Sequence, residues 1–388
     1  MPGPDPLSHR PRSLGRGAVL TLVFATALAA GAATDALPRE GATDRLVPAA
    51  RPAGDPAPVD QREVARAAAE AVADGKSGTE AAQDVVRRGG DHWGAVYDED
   101  EYEEFRQALD GRYTGVGLSP RRSGDGAVEV ARVQPGGPAD RAGIRPGDRL
   151  REIDGRAVDR RPVTEVVALL RGDRSTRVDL ALERAGRGWT RSLTRATLST
   201  ESVTVRRLDR GAVLIRVAAF TTGSGERVRE AVRRAPAGAG IVLDLRGNSG
   251  GLVHEAVAAA SVFLDGGLVA TYDVRGAERS LYAEPGGDTE RPLAVLVDGG
   301  TMSAAELLTG GLQDRGRAVT VGTRTFGKGS VQMPSRLPDG SVAELTVGHY
   351  RTPAGRGVDG TGITPDLPAA EDAEERARAV LDGLGTSR

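Results

Sequence analysis

From about Ser199 onward, short apolar runs alternate with amphipathic ones, and this alternation restricts the fold more than any other feature. "AVLIRVAAF" reads as a strand, "SGERVREAVRRA" as a helix and "GIVLDLRGN" as a buried strand. "LVHEAVAAASVFL" reads as a helix, "LAVLVDG" as a strand, "SAAELLTGGLQD" as a helix and "AVTVG" as a strand. Strands separated by helices need crossover connections, so the expectation is a mainly parallel sheet covered on both faces. Aromatic residues make up only 3% of the chain, so its cores must be Val, Leu, Ala and Ile.

A length of 388 residues suggests two or three domains. The net charge of −2 gives no global field to draw nucleic acid, and none is expected as a partner. The absence of cysteine excludes disulfides, thiol catalysis, thiolate metal sites and a lipid-anchored cysteine. His9, His92, His254 and His349 are scattered without ligand spacing, so no metal site is expected. Near the start, Arg10, Arg12 and Arg16 precede the uncharged "GAVLTLVFATALAAGAA" at 17–33. Positive residues before an apolar run place everything after it outside the cytoplasm. Residues 1–36 therefore read as a signal peptide or membrane anchor, the run being long for the first and slightly short for the second. Residues 37–60, rich in Ala, Pro, Gly and Asp, read as a linker. Residues 61–111 carry three short helices, "REVARAAAEAVADG", "EAAQDVVRRGG" and "DEDEYEEFRQALDG". The acidic run of the third suits a helix N-terminus. Residues 371–388 read as a short charged helix or disordered tail.

Three stretches compete as sites. Gly322 to Lys328 reads GxxxxGK, close to a phosphate-binding loop, but Gly329 stands where that loop needs Ser or Thr, and a strand-like stretch follows in place of a helix. Lys328 is nonetheless notable, because Lys76 and Lys328 are the only lysines among 52 basic residues. A glycine-flanked lysine ending a strand is, locally, a solvated turn. "GNSGG" at 247–251 matches the GxSxG nucleophile elbow, which would make Ser249 a nucleophile. In that fold the acid and histidine follow the serine; His254 is too near, and only His349 lies later in the chain. Ser303, after the apolar run 293–298, opens a helix. Ser303-x-x-Glu306 is a capping box, and cap and nucleophile weigh about equally there. The two roles are compatible, since orphan N–H groups at a helix start can stabilise an oxyanion.

Residues 112–198 resemble a PDZ domain. "PADRAGIRPGD" carries the resemblance, followed by the strand "RLREIDG", the helix-like "PVTEVVALLRGD" and the alternating "TRVDLALERAG". The resemblance implies that "YTGVGL", with Tyr113, Thr114, Gly115, Val116, Gly117 and Leu118, offers backbone N–H groups to the terminal carboxylate of a peptide, which then adds a strand to the sheet edge. A module that only packs against its neighbours is the alternative.

Taken in order, "DLRGNSGG", "DGGTMSAAELLTGGLQDRGRAVTVG", "RTFGKGSVQ" and "HYRTPAGRGVDGTGITPD" resemble the carboxyl-terminal processing proteases, tail-specific Ser-Lys peptidases with an embedded PDZ domain. The similarity runs from about Tyr113 to Asp366. It implies Ser303 as nucleophile, Lys328 as general base and Gln332 as the residue that orients the lysine. It implies an oxyanion hole from the backbone amides of Ala304 and Gly251, so that "GNSGG" supplies donors and Ser249 is not the nucleophile. The serine-rich run of the family is Thr-Met-Ser-Ala-Ala here, which leaves the pocket preference beside Met302 open. The implied fold class is mixed, α+β with an α/β part: N-terminal helices, the PDZ domain and a ClpP/crotonase-like protease core at 199–370.

Chemistry gives the lysine a reason. A serine can be deprotonated without histidine if a neutral amine stands beside it. A free lysine titrates near ~10.4 and must be lowered by burial to serve near neutral pH. Glycines at 327 and 329 let the backbone approach closely, and arginine could not replace the lysine because it holds its proton. The expected function is a serine endopeptidase acting near protein C-termini, with protein or peptide substrates and no cofactor. A membrane anchor and homo-oligomerisation stay open, and a catalytically inactive PDZ-bearing adaptor is the alternative.

Overall fold

The computed structural model describes residues 59–274 and 277–385. The signal-peptide or anchor segment at 1–36, and the linker up to residue 58, lie outside the described residues. No helix among the described residues is long and apolar enough to cross a membrane. The described chain divides into two compact units: Arg112–Ser199, and a second that joins the residues up to Gly111 with those from Thr200 onward.

The second unit begins with helix α1, Gln61–Ala73, capped by the Asp60 carboxylate on the Arg62 N–H at 2.9 Å. Val64, Ala68 and Ala71 form its buried stripe. Helix α2, Gly78–Arg88, starts at the Ser77 cap and buries Ala82, Val85 and Val86. Strand β1, Ala95–Tyr97, leads into helix α3, Glu99–Leu109, which opens with a reciprocal Asp98/Glu101 capping box.

In the unit Arg112–Ser199 the strands are β2 (Arg112–Gly115), β3 (Leu118–Arg122), β4 (Val128–Val133), β5 (Arg149–Ile153), β6 (Arg156–Ala157), β7 (Arg177–Arg184), β8 (Arg187–Thr194) and β9 (Ala196–Ser199). Two helices, α4 (Pro138–Arg141) and α5 (Val163–Leu170), interrupt them. The sheet runs β3-β4-β5-β7-β8, with β6 on β5, while β2 pairs with β9. Strand β7 shows the simplest pattern, with Val178, Leu180 and Leu182 alternating inward onto Val128, Leu150 and Ile153. The Pro-Gly-Asp turn is fixed by Asp148. Its buried carboxylate accepts from the Arg145 N–H at 2.8 Å and from Arg184 Nη2 at 2.7 Å.

After Thr200 come β10 (Val203–Arg207), β11 (Val213–Val217), α6 (Ser224–Arg234), β12 (Ile241–Asp244), α7 (Val253–Ser261), β13 (Leu268–Val274) and β14 (Ala277–Tyr282). Then follow β15 (Leu293–Val297), α8 (Ala304–Asp314), β16 (Val319–Gly322), β17 (Ser330–Arg336), β18 (Val342–Arg351), β19 (Leu367–Pro368) and α9 (Ala373–Gly385). The main sheet has the order β10-β11-β12-β15-β16-β19. All pairings in it are parallel except β10 with β11. The inner strands β12 and β15 are buried along their whole length, as a doubly covered sheet requires. Ile215, Leu243 and Val295 pack with Val228 of α6, Ala256 of α7 and Leu308 of α8. Val242, Leu296 and Val321 pack on the other side with Ala373, Ala377 and Leu381 of α9. Of the two readings of the tail, the helix is what forms over 373–385, because that sheet face needs a cover.

The antiparallel sheet β1-β18-β13-β14, with β17 also on β18, takes the strand-like stretch after Lys328 as β17 and β18, while β1, β13 and β14 have no clear sequence signal. β1 pairs with β18 through Ala95 opposite Glu344 and Tyr97 opposite Val342. A three-residue strand nearly 250 positions from its partner carries no local pattern, so the N-terminal helices gave no hint that they adjoin the core.

Candidate active site

The loop from β15 to α8 is held from below by the loop after β12. Asp298 accepts from the N–H groups of Gly247 and Gly300 at 2.8 and 2.9 Å. The Thr301 hydroxyl donates to Leu245 O at 2.9 Å, and the Met302 N–H donates to Asn248 O at 2.9 Å. Ser303 follows at the N-cap of α8 with φ 52° and ψ −116°, and is only 3% exposed. This is a conformation that a side chain strains against. From β18, the Tyr350 hydroxyl donates to Ser303 O at 3.1 Å.

Glu306, one turn into α8, does more than cap. Its Oε2 accepts from the N–H of Ser303 at 2.9 Å and from the N–H of Lys328 at 2.8 Å. Its Oε1 accepts from the Thr325 hydroxyl at 2.5 Å and from the Gly327 N–H at 2.7 Å. One carboxylate thus ties the Ser303 and Lys328 backbones to the same oxygen. Burial raises its pKa, and the four hydrogen bonds act in the opposite direction.

Lys328 is 1% exposed. The chain at 327–329 runs against the loop 359–362 so closely that a Cβ on Gly329 would lie 2.5 Å from Asp359 N, which explains the flanking glycines. The Lys328 ammonium sits 4.7 Å from the Trp93 ring centroid, and Phe326 meets the same indole edge-on at 5.7 Å. Burial pushes the Lys328 amine down to about 8, against the opposing pull of Asp91, Glu344 and Asp359.

Gln332, buried on β17, donates through Nε2 to Ser330 Oγ at 2.8 Å and Thr346 Oγ1 at 3.1 Å. Thr346 in turn donates from N–H and hydroxyl to Asp91, at 2.8 and 2.7 Å. Gly251 bridges to Phe220 at φ 127°, where a Cβ would fall 2.2 Å from Phe220 O. Ala304 is the first residue of α8, so its N–H is one of the orphan donors of a helix start. A narrow apolar pocket adjoins Ser303 and is walled by Val253, Tyr272, Leu281, Leu307, Val331 and Tyr350.

The other sequence candidates sit elsewhere. Ser249 is half-buried in the loop after β12. The exposed His254 lies 3.6 Å from Glu255, and His349 lies 3.7 Å from Asp359. Among the described residues no three His, Asp or Glu gather as a metal would require. In the unit Arg112–Ser199, Tyr113 to Gly115 belong to β2, Val116 and Gly117 form the turn, and Leu118 opens the edge strand β3. Val116 O accepts from the Ala139 N–H and Gly117 O from the Gln134 N–H, both at 2.8 Å.

Sequence reasoning missed Asp91, Trp93, Glu344 and Tyr350. Trp93 is one of two tryptophans; its rarity was the only available signal, and nothing connected it to residue 328.

The profile described as Peptidase family S41 matches residues 212–369, and a PDZ domain profile matches residues 129–184. The chain is similar to the carboxy-terminal processing protease CtpA of Bacillus subtilis (strain 168), 31% identical over 72% of this chain and 61% of that one. It is 36% identical to the chloroplastic carboxyl-terminal-processing peptidase 2 of Arabidopsis thaliana, over 69% of this chain and 56% of that one. Among solved structures, a photosystem II D1 C-terminal processing protease superposes with a TM-score of 0.50, at 31% identity, over 79% of this chain and 87% of that one. The chain spans about 56–61% of the length of these two curated relatives.

Proposed function

This chain belongs to peptidase family S41, and from that premise we propose that it is a serine endopeptidase cleaving proteins near their C-terminus through a Ser303–Lys328 dyad. The observation that carries the reading is a buried lysine, its amine lowered to about 8, whose backbone shares one Glu306 oxygen with that of Ser303. A neutral amine is a base; an exposed ammonium is not.

In the proposed reaction, the Lys328 amine takes the Ser303 hydroxyl proton as Oγ attacks the substrate carbonyl carbon. The amides of Ala304 and Gly251 donate to the oxyanion. Collapse of the tetrahedral species breaks the C–N bond, and the Lys328 ammonium returns the proton to the leaving amine. Water then hydrolyses the acyl-enzyme by the same base. Gln332 orients the lysine. The apolar pocket beside Ser303 takes a small apolar side chain of the substrate, and the 113–118 segment engages the free tail. The Arg-flanked run at 17–33 supports an extracytoplasmic location.

The test is turnover of an unstructured protein with Ser303→Ala as comparison. The wild type should cut it and the folded variant should not. Cleavage that persists in Ser303→Ala, or a wild type without turnover, would reject the reading, the second result in favour of an adaptor.

A further inference from the structure

Glu344 lies on β18 between Pro334 of β17 and Ala95 of β1. It is 0% exposed, and neither of its carboxylate oxygens has a hydrogen-bond partner. The neighbouring acids are treated differently. Glu306 accepts four hydrogen bonds. Asp91 accepts from the Trp93 and Gly94 N–H groups as well as from Thr346. A buried carboxylate with no donor is costly when ionised, and native proteins rarely keep one without a reason.

Its surroundings supply the reason. Among the described residues, Lys328 is the one cation whose field acts to keep Glu344 ionised; burial acts against it and pushes the carboxyl up to about 8. The Tyr97 phenol on β1 and the Tyr102 phenol on α3 feel the Glu344 charge, with Glu101 and Arg106 of α3 and Arg336 of β17 beside them. Lys328 faces Asp91, Asp359 and Glu344. Of these three acids, Asp91 is held by donors and Asp359 accepts the Gly329 N–H at 2.9 Å. Glu344 alone is bare.

We propose that Glu344 is a positioning residue for the charge of Lys328: the two buried groups share one proton, and Lys328 is the free base when Glu344 carries it. The inference rests on Lys328 being the general base. The pair has two net-neutral forms, ammonium with carboxylate and amine with carboxylic acid. They differ by one proton, which leaves nitrogen and reaches a carboxylate oxygen, with no other group changed. The second form removes both buried charges and leaves the amine ready for Ser303. Loss of a second proton at higher pH leaves the amine beside a carboxylate. The neutral lysine therefore appears over two coupled steps.

The test is the pH dependence of peptide kcat/KM for wild type, Glu344→Gln, Glu344→Met and Lys328→Ala, with melting checked at each pH. The wild-type acid limb should be shallower than one ionisation. In both Glu344 variants it should become a single ionisation and move to lower pH by about half a unit or more, because no carboxylate retains the lysine proton. Limbs that superimpose overturn the inference. So does a rate reduced at every pH with an unmoved midpoint, which is what a packing role would give. If neither variant folds, a wild-type limb fitting one ionisation overturns it alone. Turnover that survives in Lys328→Ala removes the base reading itself, and that result is distinct from the others.

Discussion

At Ser303 the backbone and the chemistry oppose each other. A φ of 52° with ψ of −116° suits glycine and strains any residue with a Cβ. Strain of this kind costs about 1–3 kcal/mol and is held by its surroundings, here the Tyr350 hydroxyl and the Glu306 carboxylate. Glycine at an N-cap loses only a few tenths of a kcal/mol against serine. Ser303→Gly should therefore melt above the wild type, and Ser303→Ala near or below it, with turnover absent from both. A glycine variant that melts lower would show that Ser303 is not strained. In the sequence, this position could be read as a cap or a nucleophile with equal ease, because a positive φ leaves no mark on the neighbouring residues.

Between elements, Glu306 is the joint. The capping box was legible from Ser303-x-x-Glu306, but its reach to Thr325, Gly327 and Lys328 was not, since those donors come from a loop after β16. Both oxygens accept two hydrogen bonds. An amide can offer only one oxygen, and its NH₂ would face donors. Glu306→Gln should therefore be nearly as damaging as Glu306→Ala. Each should lose about 2 kcal/mol or more of stability, because buried N–H groups lose their acceptor, and turnover should fall at least tenfold. Thermal melts and kcat/KM would check this. A glutamine variant that behaves as wild type would mean that one oxygen suffices to hold the α8 start to the 325–328 loop.

For the whole molecule, the βα alternation after Ser199 was enough to anticipate a parallel sheet with both faces covered. Helices α1, α2 and α3 also fall on the three stretches read as short helices. The short β1 was not legible, because its pairing with β18 is set far along the chain, as with Asp91 and Thr346, which are 255 residues apart. The wall around Lys328 was hidden for the same reason. The unit Arg112–Ser199 offers an edge strand, β3, with α5 alongside. If its 113–118 segment takes a terminal carboxylate, a substrate amidated at its C-terminus should be cut several-fold more slowly than the free acid. The loss should shrink as substrate concentration rises. Equal rates across concentrations would remove the tail-capture role and leave the dyad untouched.

Comparing Lys328→Arg with Lys328→Ala decides whether Lys328 acts as a proton acceptor. Arginine keeps the charge and most of the length but holds its proton. With both variants folded by thermal melting, kcat/KM of Lys328→Arg should fall to the level of Lys328→Ala, while His254→Ala and His349→Ala retain turnover. Substantial turnover by folded Lys328→Arg would rule out Lys328 as the base, because a residue that works with its proton fixed is not one.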